Sequence, residues 1–127
     1  MCLQGFALPD TLILLLEDQP LISLDIEEAL ADKGMRNVVT LRSRKEAMAW
    51  LAGSSPDFVL LDLYLDDGDS RPILEHLRDV RVPFMIYTGS DRPPEWDDSL
   101  FEYGEWMNKP SNPDALADRI RERLDAS

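Results

Sequence analysis

Residues 58–68 read FVLLDLYLDDG: four apolar residues run directly into Asp62, and an acidic turn with Gly68 follows within six positions. A short continuous apolar run bounded by a turn signal is typical of a strand buried on both faces, as in a parallel sheet. Asp62 would then lie at the carboxyl end of that strand, where open α/β sheets bind ligands and carry reactive groups. On this stretch alone, Asp62 could equally be the first residue of an ordinary loop.

The composition limits the classes of protein to consider. A chain of 127 residues is long enough for one domain with its own core, and we expect residues 1–10 to be an N-terminal extension and residues 11–127 that domain, with no output domain. A net charge of −12, from 25 acidic and 13 basic residues, repels phosphate backbones and anionic membranes, which argues against nucleic acid or membrane as a direct partner. The single cysteine, Cys2, cannot form an internal disulfide, and no leader or membrane-spanning run is visible. We therefore expect a cytoplasmic protein.

Apolar runs elsewhere in the chain predict further strands. Residues 11–16 and 82–87 are continuous apolar runs like the first, whereas residues 37–41 and 106–108 are shorter and weaker candidates. Helical patterns separate these runs with short connections, which is the arrangement of a parallel sheet with crossover helices. We expect an α/β fold of the doubly wound (βα)₅ type, with strand order 2-1-3-4-5 and helices on both faces, as in flavodoxin-like proteins.

Short sequence patterns mark where the predicted helices begin. Pro20 fits the first turn of a helix whose apolar face comprises Leu21, Leu24, Ile26 and Leu30. Residues 43–46, SRKE, form a capping-box pattern for a second helix, and residues 70–72 open a third. The pair at 93–94, PP, limits any fourth helix to about residues 95–101, and residues 112–113, NP, begin the last one.

Polar residues occur where the predicted strands end. Glu17 and Asp18 follow the first strand, Asp62 the third, Thr88 the fourth and Lys109 the fifth. These ends share one edge of a parallel sheet, so the side chains can converge. Clustered carboxylates raise one another's pKa unless a cation lies among them, and an all-oxygen set suits Mg²⁺. Such a site suits phosphoryl transfer onto a carboxylate, for which Asp62 is the best acceptor.

These pieces together resemble the receiver domain of bacterial response regulators, the CheY-like family. The matching pieces are Glu17-Asp18, the LLDLxLxxG pattern at 60–68, Thr88-Gly89 and Lys109-Pro110, and the resemblance extends from Thr11 to the C-terminus. It implies that Asp62 receives phosphate from a sensor histidine kinase or a histidine phosphotransfer protein.

The resemblance also implies a role for most of the site residues. The resemblance implies that Mg²⁺ is bound by Glu17, Asp18, Asp62 and the Tyr64 main-chain carbonyl, and that Thr88 and Lys109 bind the phosphoryl group. It also implies a cis Lys109-Pro110 bond and an aromatic switch at Trp106 coupled to Thr88. Tyr64 and Ser90 flank the predicted phosphoryl site, so we expect them to govern how fast water reaches it and thus the acyl phosphate lifetime. Asp66 and Asp67 are expected to be solvated loop acids.

A narrower resemblance concerns residues 83–89, PFMIYTG, which are similar to the strand-four motif of the alphaproteobacterial "FAT GUY" stand-alone receivers. Tyr87 and Ser90 depart from that motif. Residues 93–94 and 103–105 also depart from the family pattern, on the face that receivers usually present to their targets.

We expect a single-domain response regulator that controls a protein partner or acts as a phosphate shuttle or sink, with no enzymatic activity beyond self-dephosphorylation and with a homodimer left open. The alternative is a receiver-like interaction module that works without phosphorylation. An aspartyl phosphatase is disfavoured, because Tyr64 occupies the position where such enzymes need a second acid.

Overall fold

The computed structural model describes residues 10–125, so most of the expected N-terminal extension, including Cys2, lies outside the described residues. The described part contains five main strands and four α-helices. The strands are β1 (Ile13–Leu16), β2 (Val38–Leu41), β3 (Phe58–Leu61), β4 (Phe84–Thr88) and β5 (Gly104–Asn108). The helices are α1 (Pro20–Asp32), α2 (Arg44–Leu51), α3 (Arg71–Val80) and α4 (Pro113–Asp125).

The five strands form one parallel sheet with the order β2-β1-β3-β4-β5, as predicted. Every residue of β1, β3 and β4 is buried, because helices cover both faces. Alternate residues of a strand enter opposite cores: Leu14 and Leu61 belong to one, Leu15 and Leu60 to the other. Within residues 10–125, no helix is long and apolar enough to span a membrane.

The predicted apolar face of α1 is wrong for two of its residues. Leu21 is 78% exposed and Leu24 51% exposed, whereas Ile26 and Leu30 are buried as predicted. The buried stripe is completed by Ser23 and Ala29, which repeat with helical spacing beside Ile26 and Leu30. Small residues let α1 approach its neighbours closely, so hydrophobicity alone did not identify the face.

The connection between β4 and β5 contains one 3₁₀ turn, Asp98–Phe101, rather than the predicted short helix over 95–101. Asp97 has an extended main chain, with φ −63° and ψ 132°, so the helical path from residue 95 is interrupted before the 3₁₀ turn begins. Aromatic packing fills the space: Trp96 is 6% exposed and stacks on Phe101, with 6.4 Å between the ring centroids.

A short antiparallel hairpin, Tyr64–Leu65 with Gly68–Asp69, follows Asp62. Its turn residue Asp67 accepts hydrogen bonds from the main-chain nitrogens of Arg44 at 2.6 Å and Lys45 at 3.0 Å, the first two residues of α2. These main-chain donors lower the pKa of Asp67. Asp67 is exposed, but it caps a helix from another part of the chain, and the prediction of a merely solvated acid was incomplete.

The pairing of Phe84 with Gly104 leads to a test of the β4–β5 contact. A Cβ atom at Gly104 would lie within 3.0 Å of three atoms of the Phe84 ring, which is fully buried and cannot move aside. We expect Gly104→Ala to lower the free energy of unfolding by about 1–3 kcal/mol through overpacking. Urea denaturation measures this. Gly53→Ala is the control, since a Cβ there has no neighbour within 4 Å; an equal loss in both variants would contradict the account.

Candidate functional site

The carboxyl edge of the sheet brings together side chains from distant parts of the sequence. Glu17 directly follows β1, Asp62 directly follows β3 and Lys109 directly follows β5. All three strands run in the same direction, so their ends meet at one edge, as the sequence predicts.

Lys109 joins two of the predicted acids. Its Nζ donates to Glu17 Oε1 at 2.8 Å and to Asp62 Oδ2 at 2.9 Å. Glu17 is only 2% exposed and Asp62 9% exposed, so both carboxylates are largely withdrawn from water. The remaining oxygens accept from main-chain N–H groups, Glu17 Oε2 from Gln19 at 3.1 Å and Asp62 Oδ1 from Tyr64 at 3.4 Å.

The protonation states of Glu17 and Lys109 follow from their burial and from their pairing with opposite charges. Burial raises the pKa of Glu17, and the hydrogen bond and charge of Lys109 offset only part of that effect. Burial alone would lower the pKa of Lys109, but its hydrogen bonds to Glu17 and Asp62, together with their charges, raise it. Lys109 therefore remains an ammonium ion at neutral pH and balances one of the two carboxylates.

The predicted metal ligands are only partly assembled. Within residues 10–125, no group of three or more His, Cys, Asp or Glu side chains is arranged to hold a metal ion. Asp18 lies in the turn after β1, and the guanidinium of Arg42 donates to its main-chain oxygen at 3.3 Å. The oxygen chemistry of Asp18, Asp62 and a main-chain carbonyl suits Mg²⁺, and the Lys109 ammonium already pairs with Glu17 and Asp62.

The remaining predicted site residues lie on β4, on β5 and in the hairpin after Asp62. Thr88 ends β4 and is 1% exposed, and its Oγ1 accepts from Ser90 N at 3.2 Å. Tyr64 is 47% exposed in the hairpin that follows Asp62. Trp106 lies opposite Ile86 in the β4–β5 pairing and packs on Phe101, with 6.1 Å between the ring centroids.

Lys109 is fixed through the chain on both sides. Its main-chain N–H donates to Thr88 O at 2.8 Å, and its bond to Pro110 is cis, the isomer that the family resemblance implies. Beyond it, the main chain of Ser111 is hydrogen-bonded to the hydroxyl of Tyr87. The sequence marked Tyr87 only as a departure from a motif, because a contact between a strand residue and a loop main chain leaves no periodic signal.

The fold and this edge define a CheY-like signalling domain, and comparison with known proteins agrees. The profile of the response regulator receiver domain matches residues 13–121. The chain belongs to the response regulator receiver domain family of two-component systems.

The individual relatives described next are 28% to 33% identical to this chain. The chain is 30% identical to the KDP operon transcriptional regulatory protein KdpE of Escherichia coli over 122 residues, covering 90% of this chain and 51% of KdpE. It is 33% identical to the phyllosphere-induced regulator PhyR of Methylorubrum extorquens over 81 residues, covering 61% of this chain and 30% of PhyR. The solution structure of SdrG from Sphingomonas melonis has a TM-score of 0.71 at 28% identity, covering 96% of this chain and 99% of SdrG.

Two conclusions follow from these coverages. The chain spans at most about half the length of these two curated relatives, so their activities as whole proteins do not transfer to it directly. The match to PhyR is partial, and it supports a likeness to that regulator over 61% of this chain only.

The shared ammonium leads to a stability test. Lys109→Met leaves two largely buried carboxylates without their cation, so we expect the free energy of unfolding to fall by about 2–4 kcal/mol. Lys33→Met is the matched control, because Lys33 pairs at 3.1 Å with Asp118, which is 55% exposed, and such pairs contribute less than about 1 kcal/mol. Urea denaturation of both variants measures the difference. Equal losses in the free energy of unfolding would show that the Lys109 pairs stabilise the fold no more than an exposed pair does.

Proposed function

We propose that this chain is a single-domain response regulator that accepts a phosphoryl group on Asp62 from a sensor histidine kinase or a histidine phosphotransfer protein. The observation that carries the proposal is the position of Asp62 at the carboxyl end of a central strand, with the Lys109 ammonium 2.9 Å from its carboxylate. The receiver would comprise residues 11–127 and work in the cytoplasm.

The proposed step is a direct displacement at phosphorus. An Asp62 oxygen forms a bond to phosphorus, the P–N bond of a phosphohistidine breaks, and the imidazole leaves with the electron pair and takes up a proton. Lys109 and the hydroxyl of Thr88 would stabilise the charge on the phosphoryl oxygens. Mg²⁺, held by Glu17, Asp18, Asp62 and the Tyr64 main-chain carbonyl, would supply further positive charge when bound.

The downstream response would involve a protein partner. Phosphorylation biases an equilibrium between two conformations, for which a few kcal/mol of differential stabilisation suffices. Trp106, coupled to Thr88, is the proposed aromatic switch on that route. The protein would regulate its partner, or would instead act as a phosphate shuttle or sink, and a homodimer is compatible with either role.

One observation favours a second function, a receiver-like interaction module that works without phosphorylation. Lys109 already pairs with Glu17 and Asp62, so part of the negative charge at this edge is neutralised within the protein itself. A chain that stayed in this arrangement would bind partners constitutively. The acid, threonine and lysine set argues for the first function, because constitutive binding has no use for it.

Beryllofluoride, which mimics an aspartyl phosphate, distinguishes the two functions. We expect beryllofluoride with Mg²⁺ to shift amide resonances around Asp62, Thr88 and Trp106, because the added group draws Lys109 and Thr88 toward it. Asp62→Ala should abolish the response, and Asp66→Ala, which removes an exposed acid from the same loop, should retain it. A silent wild-type protein, or an equal response in Asp62→Ala, would support the constitutive module instead.

Tyr64 provides a test of the phosphoryl lifetime. Its side chain is half exposed immediately beyond Asp62, so we expect it, with Ser90, to limit the access of water to the acyl phosphate. Tyr64→Ala should shorten the lifetime several-fold without changing the extent of initial labelling. Decay of the radiolabelled phosphoprotein measures this, and an unchanged decay rate would show that Tyr64 does not shield the site.

A further inference from the structure

Tyr87 lies near the carboxyl edge of the sheet, directly before Thr88 at the end of β4. It is 7% exposed and belongs to the core between the sheet and helices α1 and α4. A buried phenol needs a hydrogen-bond partner for its hydroxyl, because an unpaired one is costly. Here the partner is a loop, not another core residue.

The Tyr87 hydroxyl makes two bonds to the main chain of one residue. It donates to Ser111 O at 3.2 Å and accepts from Ser111 N at 3.1 Å. Ser111 also closes the loop on itself, since its Oγ donates to Asn108 O at 2.7 Å. The loop over residues 108–111, which carries Lys109, is therefore held at one end by the β4–β5 pairing and at the other by the phenol.

The ring of Tyr87 also faces the ammonium. Lys109 Nζ lies 5.5 Å from the ring centroid, within the range of a cation–π interaction. The same ammonium is bonded to Glu17 and Asp62. The ring of Tyr87 therefore contacts the ammonium of Lys109, and its hydroxyl holds the loop to which Lys109 belongs.

Packing alone does not fix this loop. An open groove of about 250 Å³ lies between α1 and the loop, lined by Ile22, Ile26, Tyr87, Pro110 and Pro113, among others. Because the loop is not closely packed on α1 there, the two hydrogen bonds to Tyr87 carry more of its positioning.

We infer that Tyr87 is a positioning residue for Lys109: it fixes the 108–111 loop so that the ammonium can reach either Asp62 or a phosphoryl group on Asp62 without movement of the main chain. The fixing of the loop concerns only the folded protein, whereas the reach of the ammonium to a phosphoryl group on Asp62 rests on the proposed function. Tyr87 itself does not touch the reacting atoms.

The test uses Tyr87→Phe, which keeps the ring and removes the hydroxyl. At saturating Mg²⁺, we expect the dissociation constant for beryllofluoride to rise about five- to tenfold, the size of one net hydrogen bond. The affinity for Mg²⁺ should stay within about twofold, because none of the proposed ligands lies on this loop, whereas general loosening of the fold would weaken both. Thr40→Val is the control: it removes a side-chain hydroxyl that is bonded to Glu27, away from this loop, and should leave both affinities unchanged.

A second measurement decides the positioning role independently of phosphorylation. Tyr87→Phe, Lys109→Met and the double variant form a cycle of urea midpoints, and we expect the two losses to be clearly non-additive. Additive losses would overturn the inference, as would an unchanged beryllofluoride affinity in Tyr87→Phe when the wild type binds. If the wild type does not bind beryllofluoride, the proposed function fails, and the cycle alone decides whether Tyr87 positions Lys109.

Discussion

One ammonium group, shared between two buried carboxylates, sets the requirements for the rest of this molecule. Lys109 reaches Glu17 and Asp62 only because β1, β3 and β5 end at the same edge of one sheet. Removing such charges from water is costly unless their pairing is close to ideal, so the register of the strands and the position of the 108–111 loop both have to be maintained. In the proposed function, a phosphoryl group or a divalent cation at this edge would compete with the existing pairs between Lys109 and the two carboxylates.

Much of this arrangement could be predicted from the sequence, because the carboxyl ends of parallel strands meet at one edge of the sheet. Runs of apolar residues mark the central strands, and the polar residue that ends each run must lie at the common edge. Asp62, Glu17, Thr88 and Lys109 could be placed in this way without any knowledge of side-chain contacts. The outer strand β5 was recognised only in part, since its buried face is incomplete and its pattern correspondingly weak.

Other features depend on contacts that no local pattern encodes. Leu21 and Leu24 of α1 face outward because the small residues Ser23 and Ala29 provide the close-packed stripe, and only the neighbouring elements determine which stripe is preferred. The interaction of Tyr87 with Ser111 joins residues 24 positions apart through a hydroxyl and a main chain. Neither side chain has a propensity that would reveal it.

The cap on α2 has a consequence for the order in which the chain acquires its structure. Ser43 caps α2 locally, but Asp67 follows Arg44 by 23 positions, so α2 obtains this additional cap only after β3 and the hairpin have formed. A helix of eight residues is too short to persist alone in water, and most of its stability must come from such tertiary contacts. We therefore expect α2 and the hairpin after Asp62 to become stable together and to open together in native-state amide exchange.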